Sequence, residues 1–86
     1  METLQKKIER ILISSLKGCQ TDLETLPNGH VCSDVISPEF DGMSYENRYR
    51  RLRRILDENL PEEERGDIGT LLTYTPQEWS YVPEKS

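Results

Sequence analysis

The sequence contains a single histidine, and this scarcity limits the chemistry that it can carry. A Ser-His-Asp or Cys-His catalytic arrangement would have to use His30, and no GxSxG motif accompanies it. The P-loop, GxGxxG and HExxH motifs are also missing. Since no catalytic constellation can be assembled from these residues, we expect a protein that is not an enzyme.

Long hydrophobic runs are missing as well. The longest candidate, residues 8–16, is interrupted by two charged residues and two serines, whereas a membrane span needs ~20 apolar residues. The N-terminal segment lacks the apolar run and the cleavage site of a signal peptide. We therefore expect a cytoplasmic protein that does not enter a membrane.

The sequence contains only two cysteines, and its basic residues are outnumbered by its acidic ones. Cys19 and Cys32 do not form a CxxC motif, and without a secretion signal both are expected to be free, structural thiols. The chain has 16 acids and 11 bases, for a net charge of −5. Because affinity for phosphate depends on clustered Lys and Arg, this balance disfavours general nucleic-acid binding.

The apolar residues that are present follow helical and strand spacing. We predict a helix between Thr3 and Gly18, strands over 21–25 and 30–36, a helix over 44–60, a strand over 67–74 and a helix that begins at Thr75. This order predicts an α/β fold, α-β-β-α-β-α, with a three-stranded mixed sheet and helices covering one face.

The length of 86 residues leaves room for one core. We expect a single domain over residues 1–82 and a frayed tail over residues 83–86. Phe40, the chain's only phenylalanine, is expected to anchor the loop before the long helix in the core, and Trp79 to pack on the sheet.

The long helix carries the strongest local anomaly, because five of the seven residues 48–54 are arginines. Helical spacing predicts that Tyr49 and Leu52 face inward and that Arg50, Arg51 and Arg54 face outward. Two interpretations remain open: a docking face for an acidic surface or a phosphate backbone, or local pairing at i,i+4 spacing. The pairs expected from spacing are Glu46 with Arg50, Arg53 with Asp57 and Arg54 with Glu58.

His30 and Cys32 are the metal-competent side chains. At i and i+2 on a strand they would share one face, but two ligands are too few for a structural zinc site. His30 is therefore either one ligand of a site that another molecule completes, or a structural residue that finds a hydrogen-bond partner. We favour the structural role.

Several short motifs, taken in order, resemble the BolA family. They are Phe40-Asp41-Gly42-Met43-Ser44, Asn47-Arg48-Tyr49-Arg50, Thr73-Tyr74 at the end of the last strand, and Thr75-Pro76-Gln77-Glu78-Trp79. The family shows F-x-G-x-S, R-H-R in its long helix and T-P-x-E-W after its last strand. Gly29-His30-Val31 corresponds to a Ser-His-Phe-like element on the family's second strand. The order and spacing agree across about residues 4 to 79.

The resemblance implies a fold like the class II K-homology domain, which agrees with the element order predicted above. It also implies a partner, because members of the family bind monothiol glutaredoxins and share a [2Fe-2S] cluster with them in iron–sulfur and redox homeostasis. Other members are described as transcriptional regulators or DNA binders.

The chain departs from the family at its histidines. The His of R-H-R is Tyr49 here, and the cluster-ligand His that opens the last strand is replaced by Asp67, or by Gly69 if the alignment shifts by two residues. Cys and His are the normal donors at iron–sulfur sites. We therefore expect no cofactor held by the chain alone, and a shared cluster would have an incomplete ligand set.

The sequence thus predicts a non-catalytic, BolA-like adaptor or regulatory protein that docks a partner protein. A monothiol glutaredoxin is the partner that the resemblance implies, and Arg50, Arg51 and Arg54 are the predicted binding residues. The alternative is a K-homology-like nucleic-acid-binding or transcriptional regulatory protein that uses the same arginines.

Overall fold

A computed structural model describes residues 2–82, so the predicted tail, residues 83–86, lies outside the described residues. The elements in chain order are helix α1 (Leu4–Ser15), strands β1 (Gln20–Thr25) and β2 (Val31–Ile36), a 3-10 turn (Pro38–Phe40), helices α2 (Tyr45–Asn59) and α3 (Glu62–Arg65), strand β3 (Ile68–Tyr74) and helix α4 (Pro76–Trp79). The predicted order of helices and strands is confirmed, with α3 as one additional helical turn.

The three strands form one mixed sheet in the order β1-β2-β3. β1 is antiparallel to β2 and β3 is parallel to it, as the hairpin and the helical crossover require. α1 packs over β1 and α2 over β3. The helices therefore cover one face of the sheet, and both outer strands keep one edge that no strand of residues 2–82 pairs with.

The core lies between the two long helices and the sheet. Its buried members include Ile8, Leu12, Val31, Val35, Phe40, Leu52, Leu56 and Leu71. Phe40 is completely buried, which confirms that it anchors the loop before α2. Trp79 is half-buried, and its ring meets that of Tyr74 edge-on at 5.0 Å between centroids, at the end of β3.

Polar side chains cap the N-termini of three helices at the positions where the sequence predicts that these helices start. The hydroxyls of Thr3 and Ser44 accept backbone N–H groups of the first turns of α1 and α2. Thr75 and Glu78 form a reciprocal capping box at α4, in which each side chain accepts the other's backbone N–H. These contacts satisfy amide groups that a helix start leaves without partners.

The inward face of α2 differs from the prediction at one residue. Tyr49 is 48% exposed, so the expectation that it faces inward is wrong, whereas Arg48 is only 5% exposed. Arg48, Leu52 and Leu56 follow one another at i+4 spacing and form the buried stripe of the helix. Hydropathy favours an inward tyrosine over an inward arginine, so the spacing of apolar residues predicts Leu52 and Leu56 correctly and selects Tyr49 in place of Arg48.

Arg48 can be buried because each of its three guanidinium nitrogens donates a hydrogen bond. Nη1 and Nη2 donate to the two carboxylate oxygens of Glu78 at 2.6 and 3.1 Å, and Nε donates to the carbonyl of Met43 at 3.0 Å. The group also lies 4.8 Å from the ring centroid of Tyr45 and 5.9 Å from that of Phe40. A bidentate pair of this kind joins α2 to α4 and to the loop before α2.

Two buried serines in β2 and just after it have opposite environments. The hydroxyl of Ser33 is buried without a hydrogen-bond partner in residues 2–82. The hydroxyl of Ser37 donates to the carbonyl of Lys17 at 2.8 Å and accepts the N–H of Glu39 at 3.1 Å. A buried hydroxyl without a partner costs free energy, whereas one with two partners ties α1 to the 3-10 turn.

The ion pair between Arg48 and Glu78 should make stability depend on pH. The bonds from Arg48, and then the N–H of Thr75, lower the pKa of Glu78 below its usual range. A lowered pKa in the folded state adds stability above the usual carboxyl pKa, and that stability is lost as the pH falls through the lowered value. We expect Glu78→Gln to cost about 1 kcal/mol near neutral pH, because the partial exposure of Glu78 screens the pair.

Urea unfolding from neutral to acidic pH checks this, and the cost should shrink as the pH falls. Glu63→Gln removes the same charge from an exposed acid that makes no ion pair within residues 2–82, so its effect should stay small throughout. A Glu78→Gln cost that is constant with pH would contradict the assignment.

The two serines give a matched pair of substitutions. Ser33→Ala should raise the free energy of unfolding by about 0.5–1 kcal/mol, because it removes an unpartnered polar atom from the core. Ser37→Ala should lower it by about 1–2 kcal/mol, because it leaves a carbonyl and an amide without their partner. Urea midpoints of the two variants check this, and equal losses in both would show that Ser33 has a partner in solution.

Candidate functional site

The three predicted binding residues lie together on the outer side of α2. We define Arg50, Arg51 and Arg54 as the arginine surface; all three side chains are exposed. They line one open depression of about 440 Å³ between α2 and the C-terminal part of α1, and its other lining residues are Ser15, Met43, Asn47 and Ile55. The depression thus has apolar residues among its guanidinium groups.

Local ion pairs neutralise part of this surface. Arg50 donates a hydrogen bond to Glu46 at 2.6 Å, and the two side chains are 71% and 72% exposed. Such exposed ion pairs contribute little stability. Arg51 donates to Glu39 at 2.7 Å. Arg54 makes no ion pair with any acid of residues 2–82, so the pair with Glu58 expected from spacing does not form. The expected pair between Arg53 and Asp57 is present at 3.5 Å.

Glu39 is the member of this site that sequence reasoning missed. One of its carboxylate oxygens accepts a hydrogen bond from Nη2 of Arg51. The other accepts a hydrogen bond from the backbone N–H of Lys17, which follows α1. Pro38 and the hydroxyl of Ser37 begin the 3-10 turn that holds Glu39 in place. Because Glu39 and Arg51 are 12 residues apart in the chain, helical spacing gives no signal for the pair.

The second predicted feature, His30 with Cys32, lies at the start of β2. His30 immediately precedes the strand, which begins at Val31, and both side chains are half-buried. The register between β2 and β3 shifts between Val31 and Ser33, and Gly69 lies at this irregularity. A Cβ on Gly69 would lie 3.0 Å from Sγ of Cys32 and 3.6 Å from Cβ of His30. Gly69 is therefore where β3 packs against both candidate ligands.

This corner does not fit an iron–sulfur cluster held by the chain alone. A [2Fe-2S] cluster takes four Cys or His donors, and this corner offers only His30 and Cys32. Within residues 2–82, no three His, Cys, Asp or Glu side chains lie close enough together to hold a metal ion. Asp67, which replaces the family's histidine in the ungapped alignment, is exposed and accepts the N–H of Val31 through its backbone carbonyl at 2.9 Å.

The other thiol, Cys19, is half-buried against the core. Burial, and then the charge of Glu39, raise the pKa of this thiol to about 11. Since the thiolate is the nucleophilic and metal-binding form, Cys19 is a poor nucleophile at neutral pH. Both cysteines are free.

A second surface lies along the free edge of β3. Tyr45, Glu46 and Tyr49 of α2 face Leu71, Leu72, Thr73 and Tyr74 of the strand across an open groove of about 560 Å³. We call this the β3 groove. Sequence reasoning missed it because it placed Tyr49 in the core, whereas the burial of Arg48 turns both tyrosines outward.

No helix among residues 2–82 has both the length and the apolar character needed to cross a membrane. This finding agrees with the absence of long hydrophobic runs in the sequence.

Comparisons with known proteins agree with this architecture. The chain is similar to the solved structure of BolA1 from Arabidopsis thaliana, with 20% identity, a TM-score of 0.72 and coverage of 96% of this chain and all of that chain. It is also similar to the BolA domain of SufE1 from Arabidopsis thaliana, with 19% identity and a TM-score of 0.71. This match covers 91% of this chain and 98% of that chain. A bolA protein homologue from Coxiella burnetii matches with 25% identity and a TM-score of 0.65, and the match covers 85% of this chain and 91% of that chain.

No family model and no curated protein sequence matches the chain. The likeness is therefore carried by the backbone, which agrees over most of both chains although at most a quarter of the residues are identical in these three comparisons. The resemblance to the BolA family noted from the short motifs is confirmed at this level: the chain is BolA-like, with the three-stranded mixed sheet and the α-β-β-α-β-α order of the BolA fold.

Proposed function

We propose that this chain is a non-catalytic, BolA-like adaptor or regulatory protein that docks a partner protein through the arginine surface. The observation that carries the proposal is the convergence of Arg50, Arg51 and Arg54 on one depression. Arg54 has no ion-pair partner within residues 2–82, and the exposed guanidinium group of Arg50 uses one N–H for Glu46 and has further donors for a partner. These guanidinium groups suit carboxylates on an acidic partner surface.

The environment of the chain's nucleophiles and of its one histidine supports a non-catalytic role. The ring of His30 makes no hydrogen bond with a hydroxyl, thiol or carboxylate in residues 2–82. A general base must reach the group that it activates, and Cys19 is held as a thiol by its raised pKa. Within residues 2–82, His30 and Cys19 are therefore not joined by a hydrogen bond as a base and its nucleophile would be.

The proposed partner is a monothiol glutaredoxin, and the proposed process is iron–sulfur and redox homeostasis in the cytoplasm. The BolA-like fold and the ordered motifs support this choice, and residues 1–82 are proposed to act as one domain. Docking does not require a cluster, because it uses α2 and not the corner around Gly69.

A nucleic-acid-binding or transcriptional regulatory role is the alternative, since guanidinium groups also bind phosphates. Two features weaken it. The net charge is −5, and two of the three arginines are already paired with acids. The run Gly66-Asp67-Ile68-Gly69 has GxxG spacing, but it contains an acid and its last glycine lies within β3, so it is not a free phosphate-clamping loop.

Charge reversal at Arg54 should weaken partner binding. We expect Arg54→Glu to reduce the affinity for a monothiol glutaredoxin by about tenfold at low salt, because it places a carboxylate on the surface that meets the partner. Lys6→Glu makes the same charge change on exposed α1 and should have little effect. Amide shift changes in an NMR titration measure both affinities.

The titration uses apo and cluster-loaded glutaredoxin separately. Shift changes at α2 residues of the depression support the proposal, whereas no change with either form removes this partner. Fluorescence anisotropy with single-stranded and duplex oligonucleotides at low salt tests the alternative. Binding that falls steeply with salt and is lost in Arg54→Glu would favour nucleic acid over protein.

A further inference from the structure

The two free edges of the sheet differ in charge. The edge strand β1 contains two acids, Asp22 and Glu24. The other edge strand, β3, has the sequence IGTLLTY and contains no charged residue. An edge strand presents unpaired backbone N–H and C=O groups to any strand that approaches it, and proteins usually protect such edges with charges, prolines or short strands. β3 is seven residues long, contains no proline and pairs with β2 alone among residues 2–82.

Exposed apolar side chains gather beside the same edge. Five large hydrophobic residues of the described chain are exposed, and three of them, Tyr45, Tyr49 and Leu72, line the β3 groove at 68%, 48% and 46% exposure. Single exposed hydrophobic residues are ordinary, but a cluster next to an unpaired strand indicates an interaction surface. The groove ends at Tyr74, whose ring packs against Trp79.

We propose that the β3 groove binds an extended, uncharged and apolar segment of a partner protein, which adds to the sheet as a fourth strand beside β3. The backbone edge specifies a strand, because only an extended chain can pair with successive amide and carbonyl groups. Side chains on one face of the added strand would pack against Tyr45 and Tyr49, and those on the other face against Leu72.

The scarcity of charged residues in the β3 groove indicates which kind of peptide segment it can bind. Among residues 2–82, Glu46 is the only charged residue that lines the groove, and Arg50 already binds its carboxylate at 2.6 Å. A charged segment would therefore lose hydration without gaining a partner, whereas an apolar segment loses little. The groove differs in this respect from the arginine surface on the neighbouring side of α2, and its use does not depend on the proposed function.

Helix packing disfavours a second copy of the chain as the occupant. Adjacent strands lie ~4.8 Å apart, and α2 packs over β3 in each copy. Antiparallel pairing of β3 with its own counterpart would bring two α2 helices together on one face, although packed helices need ~8–10 Å between their axes. A segment that carries no helix avoids this conflict.

A defined peptide tests the proposal. The probe is a synthetic peptide of eight alternating Val and Thr residues with two lysines at each end, and the control peptide has proline at two central positions. We expect the first peptide to shift the amide signals of Leu71–Tyr74 and to slow their hydrogen exchange. The proline peptide should not do so, because it lacks the donors that a strand needs.

Matched variants locate the site. Leu72→Lys should weaken peptide binding by at least about tenfold, because it places a charge in the groove and removes an apolar contact. Ile13→Lys makes the same change on α1, at a residue that is equally exposed (49%) and does not line the groove, and should leave binding unchanged. Circular dichroism of both variants shows whether each is folded.

Three results would overturn the proposal. The first is the absence of shifts at Leu71–Tyr74 in the wild-type protein at millimolar peptide. The second is equal weakening by Leu72→Lys and Ile13→Lys. The third is occupation of the edge by something else, either a dimer in sedimentation analysis that Leu72→Lys dissolves, or an oligonucleotide that shifts the same amides in place of the peptide.

Discussion

The bidentate bond between Arg48 and Glu78, together with the complete burial of Leu52 and Leu56 on the same helix face, fixes how α2 is rotated against the sheet. Its guanidinium group also holds the carbonyl of Met43 and lies beside the rings of Phe40 and Tyr45. A charged group can remain buried only with such partners. With Arg48 turned inward, every other side chain of α2 has its direction set by the helical repeat. The pair and the two leucines together therefore determine which residues of α2 lie on the surface.

That rotation gives α2 two different outer sides. Toward the C-terminal part of α1 it presents Arg50, Arg51 and Arg54, and toward the free edge of β3 it presents Tyr45 and Tyr49. The first side is basic and suits an acidic protein surface, whereas the second is neutral and suits an apolar strand. The exposed ion pair between Glu46 and Arg50 joins the two sides and keeps the groove free of net charge. One helix thus presents two chemically distinct surfaces.

The start of β2 shows how the chain differs from the family that its motifs resemble. Gly69 lies against Cys32 and His30, and a Cβ on it would lie only 3.0 Å from Sγ of Cys32, which would have to move to make room. The two positions that could replace the family's histidine hold this glycine and Asp67, which contributes a backbone carbonyl to β2. Close packing of β3 on β2 thus leaves little space for a larger side chain at position 69, and Asp67 contributes to this contact through its backbone.

The sequence by itself determined the element order, the three polar helix starts, the burial of Phe40 and the outward direction of the three arginines, because these depend on local spacing and capping. It erred by one residue on the inward face of α2, since hydropathy cannot foresee that Glu78, 30 residues away, neutralises Arg48. Only the tertiary structure decided that Glu39 binds Arg51. Within residues 2–82, it also decided that Arg54 has no ion-pair partner and that no strand covers the edge of β3 beside Tyr45 and Tyr49. These features depend on which distant residues meet, and local periodicity carries no information about that.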